Sequence, residues 1–162
     1  MNLIDRLRWC LITSFGLGLA PVASGTFGTL GGVALAVTLQ WAMPGHVVLS
    51  WSIAAVVLFV YGCLETRFVE RTWPKKDPGQ FVLDEVVGYL VTVIVYALVR
   101  EVPDAVGHMA AFFAFRVFDV LKIQPCKKLE DLPGALGIMA DDQMAGVYAG
   151  LSMWLVLPLL GQ

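Results

Sequence analysis

Apolar residues along this chain gather into five stretches, at 30–43, 47–64, 86–99, 105–115 and 144–160, each closed by a short polar break. The breaks carry turn chemistry: Pro44-Gly45 between the first two stretches, Trp73-Pro74-Lys75-Lys76-Asp77-Pro78-Gly79 after the second, and Pro125 with Leu132-Pro133-Gly134 before the last. The pattern predicts a helical hairpin, a second helical hairpin and a final helix. Crossing a bilayer takes roughly 20 residues, so the second and last stretches are long enough alone, while the others extend into flanking polar residues, tilt or re-enter. The expected fold is all-α: a compact, multi-helix integral membrane bundle with about five membrane-embedded segments, an N-terminal helix and a glycine-rich loop, in one domain over 1–162.

Arg6 and Arg8 precede an apolar stretch, as in a secretory signal, but Asp5 sits among them and Gly16-Leu17-Gly18 interrupts the stretch early. The N-terminus is therefore expected in the mature protein. Arg6, Arg8, Arg67, Arg71, Lys75, Lys76, Arg116, Lys122, Lys127 and Lys128 fall before the first stretch, between the second and third, or around the end of the fourth. Arg100 alone falls on the other side. Basic residues concentrate in cytoplasmic loops, which places the N-terminus and both basic connectors in the cytoplasm and the Pro44 and Pro103 turns outside.

Composition strengthens the membrane reading. Apolar residues make up 58% of the chain and charged ones 15%, against about 25% in ordinary soluble domains. No charge occurs between Arg8 and Glu65, and none follows Asp142. A net charge of -2 without a basic run argues against nucleic acid, and the apolar content argues against disorder. Cys10, Cys63 and Cys126 form no framework and no CxxC pair, and the sequence sets no oligomeric state.

With so few charges, their positions are informative. Asp84-Glu85, Asp119 with Lys122, and Asp141-Asp142 all fall at the cytoplasmic ends of the apolar stretches. Each acidic pair emerges from apolar residues and is followed one turn later by a glycine: Gly88 four after Asp84, Gly146 four after Asp142. On a helix that spacing shares a face, where glycine lets a neighbouring backbone approach. One acid near a helix start is explained by the dipole, worth about 0.3 to 1 kcal/mol. Two adjacent pairs are not, and carboxylates at membrane depth are costly and tend to be functional. A divalent cation relieves their repulsion, and oxygen-only ligands favour a hard ion, most simply Mg2+.

Arg116, Asp119 and Lys122 repeat at three-residue spacing. They read either as an ion pair on a solvated helix end, or as a phosphate clamp with Asp119 as metal ligand or proton acceptor. The glycine-rich run at 16–32 matches neither GxxxxGK[ST] nor GxGxxG. Gly25 with Ser24, Thr26 and Thr29 offers N–H groups and hydroxyls to a phosphate, while Gly28 and Gly32 form a small-xxx-small packing pair, and the two roles are compatible. No cysteine has an arginine five residues on, His46 and His108 lie near outer turns as interfacial residues, and no DxD pair is present. Carboxylates, basic residues, glycines and hydroxyls remain, a set suited to metal-assisted hydrolysis of a phosphate ester.

Four ordered motifs then carry a family likeness: GLGLAPVASGTFGTL at 16–30, VLDEVVG at 82–88, FRVFDVLKIQP at 115–125 and GALGIMADDQMAG at 134–146. Over nearly its whole length the chain resembles the bacterial phosphatidylglycerophosphatase A family. The resemblance implies a Mg2+-dependent enzyme of the bacterial inner (cytoplasmic) membrane, multi-pass, with its active site on the cytoplasmic side. Its substrate would be phosphatidylglycerophosphate and its products phosphatidylglycerol and inorganic phosphate. The likeness carries acidic catalytic and metal-binding positions onto Asp84, Glu85, Asp119, Asp141 and Asp142, and basic ones onto Arg116 and Lys122. Ser24, Ile123 and Ala135 depart from the family pattern and bear on loop stiffness. An alternative of another class is a small cation-binding membrane transporter, and a third is a non-catalytic helical membrane protein. Acids gathered at one interface, where transport sites sit nearer mid-membrane, count against the transporter.

Overall fold

Every apolar stretch is helical in the computed structural model, which describes residues 2–75 and 78–156; Lys76 and Asp77 of the first basic connector, and 157–160 of the last expected segment, lie outside the described residues. The order is α1 (Leu3–Ile12), a single 3-10 turn (Leu17–Leu19), α2 (Ser24–Ala42), α3 (Val47–Leu64), α4 (Thr66–Thr72), α5 (Leu83–Val99), α6 (Ala105–Leu121), α7 (Cys126–Leu129) and α8 (Ala135–Val156). The described residues contain no strand. Local chemistry sets several ends. Asn2 caps α1 by accepting from the Asp5 N–H at 2.7 Å, and Asp104 caps α6 by accepting from the Gly107 N–H at 2.8 Å. Ser14, Phe15 and Gly16, all at positive φ, turn the chain after α1.

Two boundaries differ from expectation. Half of the glycine-rich run is helix, because α2 starts at Ser24, directly after Ala23 at φ 54°. The last helix starts at Ala135, behind Gly134 at φ 64°, so Asp141 and Asp142 lie about two turns inside α8. Two short helices add to the expected set: α4 between the second stretch and the Trp73–Gly79 connector, and α7 between Pro125 and Leu132.

α5 is the central element. It packs against α2, α3, α6 and α8, and buried residues such as Val87, Tyr89, Leu90 and Val93 point from it in several directions. Small residues make the contacts close. At Gly146 a Cβ would run into the Gly88 carbonyl, and at Gly150 it would lie 2.7 Å from the Thr92 carbonyl. At Gly28 it would lie 2.7 Å from Val82 Cβ and at Gly32 2.9 Å from Tyr89 Cβ, so the expected packing role of Gly28, Gly32, Gly88 and Gly146 is what the fold uses.

The end of the bundle near Pro103 is tied by a polar network. Gln40 donates its amide to the Pro103 carbonyl at 3.2 Å, which leaves its oxygen to accept from His108 Nε2 at 2.8 Å. His108 Nδ1 then accepts from the Tyr89 hydroxyl at 2.7 Å. Expected at an interface, His108 is instead buried among α2, α3, α5 and α6, with Trp51 edge-on to it at 6.1 Å.

By length and composition, one helix among the described residues qualifies as a membrane span: α3, 18 residues long with only 28% of them buried. α2, α5, α6 and α8 overlap the other four expected segments. Glycines and threonines in α2, a length of 17 residues in α5 and in α6, and two carboxylates in α8 set them apart from it.

Candidate active site

Four elements deliver side chains to one end of the bundle. The first turn of α5 carries Asp84 and Glu85. α8 brings Asp141 and Asp142 beside them, because Gly88 and Gly146 let the two helices meet one turn further on. The last turns of α6 supply Arg116 and Asp119, and Lys122 follows at the helix end in a left-handed conformation, φ 44° and ψ 54°. The start of α2 contributes Ser24 and Gly25, and a Cβ at Gly25 would displace the Glu85 carboxylate and the Arg116 guanidinium.

These residues line a cavity of about 340 Å³, with Glu130, Phe81 and Gly79 completing its wall. Six carboxylates face two cationic side chains. Asp84, Glu85 and Asp142 offer oxygens that all lie within 4.8 Å of one another. Asp84 and Asp142 are 6% and 4% exposed, too buried for water to screen such a cluster. Asp84 Oδ1 accepts from the Glu85 N–H at 3.0 Å, and Glu85 Oε2 is buried with no hydrogen-bond partner among the described residues. An orphaned carboxylate oxygen within an all-oxygen cluster fits a hard divalent cation, which would take the place of the missing donor.

Cationic side chains bind the remaining acids. Arg116 Nη1 pairs with Asp119 Oδ2 at 2.6 Å, and Lys122 Nζ reaches Asp141 Oδ2 at 2.8 Å and Glu130 Oε2 at 3.3 Å. The five acids expected to act together therefore divide. Asp84, Glu85 and Asp142 converge. Asp119 lies within hydrogen-bonding reach of Asp142 but is engaged by Arg116. Asp141 turns away to Lys122, since consecutive residues on a helix point about 100° apart.

Ser24 and Gly25 line the cavity as expected, whereas Thr26 and Thr29 do not. The Thr29 hydroxyl is buried and donates to the Gly25 carbonyl at 2.8 Å. Glu130 was not anticipated: it follows Lys127 and Lys128 in what reads as an ordinary charged connector.

Burial raises the Glu85 carboxyl above the usual range, and the charge of Asp119 adds to this. Asp142 stands well above it, first through burial and then through Asp119, Glu85 and Asp141. Burial also raises Asp141, with Lys122 opposing. For Lys122, burial alone would lower the ammonium, but Asp141 and Glu130 outweigh it and hold the pKa above the ordinary lysine value.

The chain resembles proteins named as phosphatases along most of its length. A protein of Bacteroides thetaiotaomicron named "Putative phosphatidylinositol-3-phosphatase" is 35% identical over 142 residues, 85% of each chain. Proteins named Phosphatidylglycerophosphatase A from Haemophilus influenzae and Escherichia coli K12 are 33% and 30% identical, over 86% of this chain and 82% and 77% of theirs. No solved structure matches the chain. A family model described as Phosphatidylglycerophosphatase A matches residues 10–157, and the chain belongs to that family of phosphatases.

Proposed function

We propose that this protein hydrolyses the terminal phosphate monoester of phosphatidylglycerophosphate, releasing phosphatidylglycerol and inorganic phosphate with Mg2+ as its cofactor. The observation that carries the reading is the convergence of Asp84, Glu85 and Asp142 within 4.8 Å, in a cavity that also holds Arg116 and Lys122. Carboxylates alone repel a phosphate. Carboxylates that hold a cation, with an arginine and a lysine beside them, attract one.

In this reading Asp84, Glu85 and Asp142 hold the ion, with Asp119 and Asp141 as neighbouring acids of the same site. When bound, Mg2+ supplies positive charge to the phosphate oxygens and to an attacking water. Arg116, ion-paired to Asp119 through Nη1, has guanidinium N–H donors to offer a phosphate. Lys122 presents its ammonium from a fixed position between Asp141 and Glu130. Ser24 and Gly25 line the same cavity at the start of α2, where the positive end of the helix favours an anion. Thr29 fixes the Gly25 carbonyl behind them, and Thr26 stands on the neighbouring helix face. Asp119, bordering both Arg116 and Asp142, is placed to exchange a proton with water in the cavity.

The same reading sets the protein in the bacterial inner membrane. Five segments cross or enter the bilayer at 30–43, 47–64, 86–99, 105–115 and 144–160, with the carboxylates at the cytoplasmic end. The name of the Bacteroides relative favours testing phosphatidylinositol 3-phosphate as well, another lipid phosphate monoester. Purified protein in detergent should release phosphate from phosphatidylglycerophosphate with Mg2+ and stop on chelation. Unimpaired turnover by both Asp84→Asn and Asp142→Asn would sink the assignment.

A further inference from the structure

Between α2 and α6 runs an apolar groove of about 660 Å³, with Leu30, Val33 and Val37 on one wall and Met109, Phe112 and Phe113 on the other. We propose that it holds one acyl chain of the lipid substrate while the phosphate occupies the carboxylate cavity. This rests on the reading of the protein as a lipid phosphatase and adds how the lipid is held.

Both walls lead to that cavity. On α6, Arg116 lies three and four residues beyond Phe113 and Phe112, hence on the same helix face, and Arg116 itself lines the cavity. On α2, Thr26 precedes Leu30 by four residues and Val33 by seven. Thr26 thus falls along the helix between the start of the groove and the Ser24-Gly25 end, half-buried. A molecule following the groove toward the site meets hydrocarbon, then a threonine and a guanidinium, then the carboxylates. That is the order of parts in a phospholipid carrying a terminal phosphate.

The length fits as well. From Ser24 at the cavity, α2 runs about 9 Å to Leu30 and about 16 Å more to Trp41 beside the Pro44 turn, so the headgroup would cover the first distance and the acyl chain the second. At the far end Gln40, Asp104 and His108 close the groove, with Gln40 bonded to both His108 and Pro103. A chain is therefore stopped by polar groups. The walls are open to the side: Phe113 is 64% exposed and Met109 61%, so a lipid could enter laterally from the bilayer. Inside a membrane such a groove gains nothing from hiding oil, and what it offers is shape. Two further apolar clefts include residues of α3, Ala55, Val56 and Phe59 in one and Leu58 in the other.

The first test uses the wild-type protein in phosphatidylcholine vesicles with Mg2+ present and the substrate lipid supplied as its non-hydrolysable terminal phosphonate, so that the cation site is loaded and nothing turns over. That phosphonate, bearing a diazirine on one acyl chain, should label residues 30–41 and 105–113 several-fold more than phosphatidylcholine with the same label. Equal labelling by both lipids would mean ordinary bilayer contact and overturn the proposal. The second test fills the groove with Val37→Trp and, separately, Met109→Trp. Each should raise KM for a long-chain substrate about tenfold while leaving kcat/KM for a soluble dihexanoyl analogue unchanged, with Val56→Trp in an α3 cleft as the silent control. No change in KM, or equal loss on both substrates, would overturn it. If the wild type hydrolyses neither lipid, the phosphatase reading fails, and the labelling contrast still decides the groove.

Discussion

At Asp142 function and stability pull in opposite directions. Its carboxyl is buried among Asp119, Glu85 and Asp141, so ionising it costs more in the folded chain than in the unfolded one. A folded pKa raised above the unfolded value, near 3.9 for Asp and 4.3 for Glu, gives stability that is complete below those values and lost as pH rises through the folded pKa. In detergent without metal, the melting temperature should therefore rise as pH falls from 8 toward 5, and saturating Mg2+ should flatten or reverse that slope, because the ion binds the deprotonated acids. Asp142→Asn should cut phosphate release at least about a hundredfold, yet melt higher than wild type in chelator at pH 8. A variant that lost activity and also melted lower would show a role in packing instead. The acid pairs were legible in sequence because carboxylates amid apolar residues are costly. Their division was not: Asp141 and Asp142 are neighbours in sequence but face different partners, and Glu130 joins the site only through the fold of its connector.

Helix contacts set the spacing of those carboxylates. α5 carries Asp84 and Glu85, α8 carries Asp142, and the Gly88–Gly146 contact determines how near the two helices come. A methyl at Gly146 would run into the Gly88 carbonyl and lie 3.1 Å from Val91 Cβ, and since the obstacle is backbone it cannot swing aside. Gly146→Ala should destabilise the fold by about 1 to 3 kcal/mol and raise the Mg2+ concentration needed for half-maximal activity. Gly45→Ala, with nothing within 4 Å of the added carbon, should leave both unchanged. A Gly146→Ala protein with wild-type Mg2+ response would show that the contact does not set the metal site. These small-residue contacts were readable from the four-residue spacing of glycines and acids. The start of α2 was not, because Ser24 to Gly32 has the composition of a loop; contacts with Val82 and Tyr89, which need the absent side chains, offset the roughly 1 kcal/mol helix cost of each glycine.

Over the whole molecule, helix length and helix composition point in different directions about the membrane. α2, α5, α6 and α8, at 17 to 22 residues, are about 25 to 33 Å long, near the thickness of a hydrocarbon core, although among the described residues only α3 combines the length and the apolar composition of a span. Sequence patterning located five of the helices because a bundle of paired helices tolerates glycines and threonines that pack inward, while large apolar side chains such as Ile53, Val57, Phe113 and Leu155 remain exposed on its flanks. α2 provides a direct test of orientation, since Ser24 at its start lines the cavity and the Pro44-Gly45 turn follows its far end. If the segments cross as the basic connectors indicate, Gly45→Cys in intact cells should react with a membrane-impermeant maleimide from outside. The native Cys10 should react only in inverted vesicles. Reaction of both positions from the same side would leave α2 in one leaflet. The carboxylate cavity would then no longer be held across a full bilayer from the Pro44 turn, and the five-segment arrangement would give way to one anchored by α3 alone.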